Sequence, residues 1–224
     1  MKVMILAAGR GERLRPLTDH TPKPLLQAGP KRLIEYLIER LVLAGLDDIV
    51  INHAHLGEQF APLLGNGQKY RAKISYSAEP DGGLETAGGI IQALPLLGDA
   101  PFLVVNGDIW TDFPFETLQD FKLPADQQCH LVMVDNPAHH PQGDFHLDKD
   151  GLLHLNGEPK LTFSGIGIYH PGMFAGYTTE KRPLKPLFLK AIQQAKASGH
   201  YYSGAWSDIG TVERLMQLTQ QLTD

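Results

Sequence analysis

The chain has 224 residues, 42% of them hydrophobic, enough for one large core or at most two small ones. A formal net charge of −5 argues against a nucleic-acid partner, because such binders are usually basic. The N-terminus runs straight into an apolar strand without a signal h-region, and no window approaches the ~18 apolar residues of a membrane span. A soluble cytoplasmic protein with no membrane partner is therefore expected.

In chain order, an apolar run over 3–8 predicts a buried strand. Apolar residues at 33, 34, 37, 38, 41 and 42 predict a helix over 33–44, with Glu35, Glu39 and Arg40 on its other face and Gly45 as a stop. A β-branched run over 48–52 predicts a strand. Leu56, Phe60, Leu63 and Leu64 suggest a second helix, closed by Gly65-Asn66-Gly67. Residues 73–78 alternate like a strand, and 85–97 carry Ile90, Ile91, Leu94 and Leu97 at helical spacing. A buried strand over 102–105 ends in Asn106-Gly107-Asp108, followed by a short helix over 115–121. A mainly apolar run over 129–135 reads as a further buried strand. The single cysteine, Cys129, stands at its start, excludes an internal disulfide and reads as a core thiol.

Beyond this point the pattern is less regular. A hairpin around Asp150-Gly151 is expected within 144–155, then a strand over 161–169 interrupted by Gly165 and Gly167. A helix over 186–197 carries Pro186 in its first turn and Gly199 after its end. A last helix covers 211–222, with Thr211 as N-cap. Alternation of strands and helices predicts an α/β fold, Rossmann-like, with a mostly parallel sheet covered on both faces. No repeat or linker divides the chain. One domain is expected, with a nucleotide-type half to about residue 110 and a substrate half after it. Ligands of such sheets sit beyond the C-terminal ends of the strands.

Two stretches occupy that position. The first, from Leu6 to Leu26, supplies Gly9 and Gly11 and the cations Arg10, Arg13, Arg15 and Lys23, opposed only by Glu12 and Asp19. Glycines let backbone N–H groups approach an anion, and nearby cations neutralise phosphate oxygens. The stretch thus reads as a polyphosphate cradle; the competing reading is a solvated basic loop. It is not a dinucleotide fingerprint, because Leu14 stands where the third glycine belongs. It is not a P-loop, because the chain contains no Gly-Lys pair. The second stretch is Asn106-Gly107-Asp108. A bound polyphosphate usually brings Mg²⁺, which takes one or two carboxylates plus phosphate oxygens. Asp108 is the first candidate ligand, and a turn-forming Asp is the alternative. Asp208, just before the last helix, is the second, and a capping neighbour the alternative. Nothing in the spacing brings these two together across a hundred residues. His53, His55, His139 and His140 lack a zinc-site context and read as surface or loop residues. No nucleophile elbow occurs.

Together these residues resemble the sugar-1-phosphate nucleotidyltransferases. The matches are Leu6-Ala-Ala-Gly-Arg-Gly-Glu-Arg-Leu-Arg-Pro-Leu-Thr18, Pro22-Lys23-Pro24, Leu84-Glu85-Thr86-Ala87-Gly88-Gly89, Asn106-Gly107-Asp108, Glu158-Pro159-Lys160 and Trp206-Ser-Asp-Ile-Gly-Thr211. They follow the family's order and span almost the whole chain. The resemblance implies the nucleotide-diphospho-sugar transferase fold and Mg²⁺-dependent transfer of a nucleotidyl group to a sugar 1-phosphate. It implies that Ala8, Gly9, Gly11, Glu12, Arg13, Lys23 and Thr86 hold the nucleoside triphosphate, with the segment 79–88 at the base. It implies catalytic roles for Lys23, Arg13 and Asp108, and Mg²⁺ on Asp108 and Asp208. Asn106, Gly143, Asp144, Glu158 and Ser164 are placed on the sugar side.

The runs 102–112, 134–140, 143–145 and 161–165 look like a short branch of bacterial cell-wall sugar recycling, which implies UTP as the nucleotide. Glucose 1-phosphate with thymidine or uridine triphosphate, and mannose 1-phosphate with guanosine triphosphate, are the competing substrate pairs. Two departures stand out. Glu85 occupies a position where common members have glycine. The chain also stops soon after the Asp208 motif, so an acetyltransferase domain is not expected and a monomer is. A glycosyltransferase would want a D-x-D motif, but Trp110 stands where its second acid belongs. A non-catalytic nucleotide sensor would have no need of both aspartates and Lys23.

Overall fold

The computed structural model describes residues 1–223. In chain order the strands and helices are β1 (Val3–Leu6), β2 (Gln27–Ala28), β3 (Lys31–Arg32), α1 (Leu33–Leu43), β4 (Asp48–His53), α2 (Phe60–Leu64), β5 (Lys73–Ala78), α3 (Glu85–Leu97), β6 (Phe102–Asn106) and β7 (Ile109–Thr111). They continue with α4 (Glu116–Gln119), β8 (Cys129–Val134), β9 (Phe145–Leu147), β10 (Leu153–His154), β11 (Lys160–Tyr169), α5 (Lys185–Gln193), β12 (Ala197–Tyr201), β13 (Trp206–Asp208) and α6 (Val212–Gln221).

The central sheet runs β10-β9-β11-β6-β1-β4-β5, with β8 also on β11 and β12 on β8. Strands β6, β1, β4 and β5 are mutually parallel; β11 enters antiparallel to β6, and β8 antiparallel to β11. This is the α/β class expected, a mixed sheet flanked by helices.

Alternation along the strands explains the two covered faces. In β1, Val3 and Ile5 face one core cluster while Met4 faces the other; in β6, Leu103 and Val105 oppose Phe102 and Val104 in the same way. Ile34, Leu37, Ile38 and Leu41 of α1 fill the first cluster. Ile90 and Ile91 of α3 and Leu187 and Phe188 of α5 fill the second. Cys129 is fully buried, and burial pushes its thiol up to about 12. A third cluster joins Leu215 and Leu218 of α6 to Leu14 and Leu26, so the last helix clamps the basic loop after β1. Thr211 caps that helix by accepting the Arg214 N–H at Oγ1.

One element departs from the expected pattern. The helix placed over 186–197 ends at Gln193, and Ala197 opens β12, parallel to β8. Gly199 is therefore not a helix stop. A Cβ there would stand 2.7 Å from the Leu131 carbonyl oxygen, so glycine permits the strand pairing. The pairs β2–β3 and β7–β13 are too short to leave a period in the sequence. Among the described residues no helix is long and apolar enough to cross a membrane.

Candidate active site

The loop after β1 is braced from within. Gly11 has φ +69°, and a Cβ there would lie 2.9 Å from the Thr18 methyl, so the turn needs glycine. Thr18 Oγ1 donates to the Gly11 carbonyl at 2.9 Å, and Arg10 Nη1 donates to the Thr18 carbonyl at 2.6 Å. Asp19 receives Arg10 Nη2 at 2.9 Å and Arg15 Nε at 2.8 Å. The Arg10 hydrogen bond holds the Asp19 carboxyl below the usual range. The four cations of the loop thus divide. Arg10 and Arg15 are tied to Asp19, while Arg13 has no carboxylate partner among the described residues; Arg13 and Lys23 line the cleft beside the loop, and Arg10 borders it as well.

Lys23 is 8% exposed and donates from Nζ to Asp108 Oδ2 at 2.5 Å. Asp108 is brought there by Gly107, whose N–H donates to the Leu6 carbonyl at 2.8 Å; a Cβ on Gly107 would meet that oxygen at 2.7 Å. The ladder between β7 and β13 then settles what spacing left open. Asp208 pairs opposite Ile109, and the Ile209 N–H donates to the Asp108 carbonyl at 2.8 Å. The two aspartates are backbone neighbours. Asp208 Oδ1 is held by Arg214 Nη1 and lies 3.0 Å from His139 Nε2. The guanidinium groups of Arg13 and Arg214 converge over Gly210, where a Cβ would come within 2.8 Å of each.

A cleft of about 480 Å³ follows this line of residues. Ala8, Gly9, Gly11, Glu12, Arg13, Lys23, Thr86, Asn106 and Asp108 all line it, together with Gly210 beside Asp208. A second cleft of about 440 Å³ opens from it across Glu85, Thr86 and Asn106. Asp144 lines this second cleft, with Oδ2 accepting the Phe163 N–H at 2.9 Å and Oδ1 3.3 Å from His140 Nε2. Three expected sugar-side residues do not line either cleft. Ser164 is 1% exposed and its hydroxyl accepts the Ile166 N–H at 3.2 Å, so it belongs to the strand interior. Gly143, at φ +63°, makes the turn before Asp144. Glu158 is exposed outside both linings.

Several lining residues have no individual role in the sequence reading, although Glu79 and Glu85 fall in the segment 79–88 expected at the base. Asn52 accepts the Ala7 N–H at Oδ1 (2.8 Å) and donates to Glu79 Oε1 (2.6 Å), while Glu79 Oε2 accepts the Leu84 N–H at 2.7 Å. This chain of bonds ties the segment 79–88 to the strand that feeds the loop. Asn52 and Glu79 lie at the C-terminal ends of adjacent parallel strands, which is the one signal that marks them. Glu85 stands at φ +57°, a left-handed conformation that favours glycine, and lines both clefts. Phe188 and Lys185 line the second cleft without any motif, and Phe163, within the run 161–165, lines it beside them. His53 is packed against Phe60, and burial lowers its pKa; His55 bonds the Thr18 carbonyl at 2.8 Å. His53 is thus the last residue of β4 and packs inward, not the surface or loop residue expected, whereas His55 does lie in the loop after that strand. Among the described residues no three His, Cys, Asp or Glu side chains form a metal cluster.

A family profile described as nucleotidyl transferase matches residues 2–224. The chain is 52% identical over 222 residues to the N-acetylmuramate alpha-1-phosphate uridylyltransferase of Neisseria meningitidis serogroup B, covering 97% of this chain and 96% of that protein. It is 30% identical to a protein of the same name from Caulobacter vibrioides, over 99% of this chain and 96% of the relative. A Bacillus anthracis structure, described as a candidate glucose-1-phosphate thymidylyltransferase in complex with sucrose, superposes with a TM-score of 0.86 at 20% identity. That superposition covers 100% of this chain and 96% of the other, and it carries the shared fold.

Proposed function

The chain belongs to the nucleotidyl transferase family, and from that premise we propose that it transfers the uridylyl group of UTP to N-acetylmuramate 1-phosphate. The products are UDP-N-acetylmuramate and pyrophosphate. The observation that carries the reading is the convergence of Lys23, Arg13 and Asp108 in one cleft, with Asp208 paired beside Asp108. The choice of uridine and of the muramyl sugar draws on the relative that is 52% identical along nearly its whole length.

The chemistry is a meeting of anions. An oxygen of the sugar phosphate attacks the α-phosphorus of the triphosphate in line. The bond from that phosphorus to the oxygen bridging to the β-phosphorus breaks, and pyrophosphate carries the electron pair away. A sugar phosphate is ionised at neutral pH, so no protein base has to remove a proton. Catalysis is then positioning plus neutralisation. The open turn at Gly9 and Gly11 admits the phosphates beside Ala8 and Glu12, with Thr86 across the cleft. Lys23, held on Asp108, is placed to turn to the α-phosphate oxygen, which would leave the Asp108 carboxylate free to hold a cation. Arg13 steadies the leaving pyrophosphate. Asp108 and Asp208 offer hard carboxylate oxygens beside the phosphates and fit Mg²⁺, which when bound neutralises phosphate oxygens. The sugar ring lies in the second cleft, against Asn106 and Asp144.

In this reading the chain works as one domain, with the first half holding the nucleotide and the second half the sugar. A muramyl sugar places the reaction in the cytoplasmic recycling of peptidoglycan sugars, where UTP is at hand.

Pyrophosphate release over a grid of nucleoside triphosphates and sugar 1-phosphates, with and without Mg²⁺, tests the reading. Release confined to UTP, N-acetylmuramate 1-phosphate and Mg²⁺ is expected. Preferred turnover of mannose 1-phosphate with GTP, or of glucose 1-phosphate with TTP, would replace the substrate assignment.

A further inference from the structure

We propose that Lys185 selects the sugar by pairing with the lactyl carboxylate of N-acetylmuramate. The inference rests on the substrate reading above and adds to it the residue that separates this sugar from its neutral 2-acetamido counterpart. N-acetylmuramate 1-phosphate carries two anionic groups, the phosphate on C1 and the carboxylate of the lactyl ether on C3. The cations of the first cleft are taken by phosphates. The carboxylate needs a cation of its own, on the far side of the sugar from Lys23.

The second cleft offers one. Its charged lining residues are Glu85, Asp144 and Lys185, and Lys185 alone is cationic. Asp144 is already tied to the Phe163 N–H and to His140. Lys185 has no carboxylate partner among the described residues and is exposed toward the opening. Of the other cations nearby, Lys181 approaches the first cleft, where a Cβ on Gly82 would lie 4.0 Å from its Nζ, and two more are held by their own neighbours. The Arg182 guanidinium pairs with Glu180 and lies 4.7 Å from the Tyr177 ring centre, and Lys190 Nζ lies 5.8 Å from the same ring.

The Lys185 backbone is well placed to aim its side chain. The Arg182 carbonyl accepts the N–H groups of Ala87 and Gly88 at 3.0 and 3.2 Å, which fastens the segment before α5 to the start of α3. One turn on, Leu187 and Phe188 are buried in the core. The rest of the lining suits the remainder of the ligand. Phe163 is half-buried and packs edge-on to Phe188 at 5.4 Å, giving an apolar floor for sugar C–H groups and the lactyl methyl. A flexible lysine reaching over such a floor keeps its stem on apolar surface and its ammonium in the opening.

The test is the ratio of kcat/KM for N-acetylmuramate 1-phosphate to that for N-acetylglucosamine 1-phosphate, at saturating UTP. It is measured for the wild type, Lys185→Met, Lys185→Arg and Lys185→Glu. The wild type favours the muramyl sugar. Lys185→Met lowers the ratio about tenfold or more, the size of one charge-assisted hydrogen bond in a partly open site. The loss appears in KM for the muramyl sugar and not in KM for UTP. Lys185→Arg keeps most of the ratio, and Lys185→Glu lowers it further than Met. A ratio unchanged in Lys185→Met, or an equal loss on both sugars, overturns the assignment of Lys185 while the substrate reading stands. A wild type that prefers the neutral sugar overturns the substrate reading and this inference with it. Coincident melting temperatures of the four proteins show that folding is not the variable.

Discussion

The half of the chain before residue 110 reaches its cleft from one loop and from the ends of parallel strands, whereas the later half reaches it from scattered antiparallel segments. In the first half, β1, β4 and β6 end side by side, so the residues just past them are neighbours by topology. Lys23, Gly11 and Arg13 come from one stretch whose internal bonds hold it in shape. In the second half, Asp144, Phe163 and Lys185 come from a turn, a strand and a helix start. The first arrangement suits a ligand part that never varies, the triphosphate. The second suits a part that differs between relatives, the sugar.

The sharpest way to break this comparison is to strike the shared reaction centre. Lys23→Ala and Asp108→Ala are each expected to lower kcat about a thousandfold, the scale of losing one positioned charge in a reaction centre. The loss should be equal for every sugar accepted, since the proposed reaction puts both residues at the phosphates. The melting temperature should stay close to the wild type in Lys23→Ala, because partly exposed Asp108 can be hydrated once its partner is gone, and should fall in Asp108→Ala, which leaves the buried Lys23 ammonium unpaired. Turnover within tenfold of the wild type in steady-state assays would remove these roles.

A smaller effect is expected at the joint between the clefts. Glu85 sits at φ +57°, where glycine would be at ease. Relief of that backbone strain by Glu85→Gly should stabilise the fold by about 1 kcal/mol, raising the melting temperature by roughly 2–4 °C. Activity should fall even so, because the carboxylate lining both clefts is lost. A stabilised variant with full activity would show that the strain serves nothing at the site.

Acid separates the halves by a different route. Burial, and then the neighbouring His200, lowers the His130 pKa to about 4, and burial lowers His200 as well. His130 is 8% exposed, with Nε2 2.8 Å from His200 Nδ1 and Nδ1 2.9 Å from Ser198 Oγ. A histidine depressed in the folded state leaves the unfolded chain binding the extra proton. Stability is therefore full above the unfolded value near 6.5 and falls as pH drops toward 4. From pH 7 to 5 the loss at His130 is about 2 kcal/mol. In the first half, burial would raise Glu35. Hydrogen bonds from the Tyr70 hydroxyl, the Arg32 N–H and Lys69 outweigh it and bring it to about 2. That stabilisation is present above pH 4.5 and is lost only as pH falls through the range down to about 2. Urea unfolding at pH 7 and 5 should show the drop in the wild type and a flatter response in His130→Gln. Equal stability at both pH values would contradict the His130 account.

What the sequence disclosed follows the same division. Apolar periods announced the central strands and most helices, because burial on two faces leaves long unbroken patterns. The cradle was legible because its glycines and cations are contiguous. The approach of Asp208 to Asp108 was not, since it depends on two three-residue strands, in which Asp208 pairs with Ile109, that carry no period of their own. Arg214 and His139, which hold the Asp208 carboxylate, stay hidden for the same reason. Lys185 carries no motif, Phe163 lies in the run 161–165 but received no role of its own, and the glycine at 199 signalled a stop where the fold needs close strand contact. Ser164, which the resemblance put on the sugar side, is buried in β11 and lines neither cleft, a placement that its strand neighbours decide.

The most direct test of the division between halves is the pair of Michaelis constants, for UTP and for the sugar 1-phosphate, in two single variants. In Arg13→Ala, KM for UTP should rise about tenfold, the order of one charge-assisted contact, while KM for the sugar 1-phosphate stays within about twofold. In Phe163→Leu the pattern should reverse, with only the sugar constant rising. Both constants moving together in either variant would contradict the separation of a nucleotide half from a sugar half.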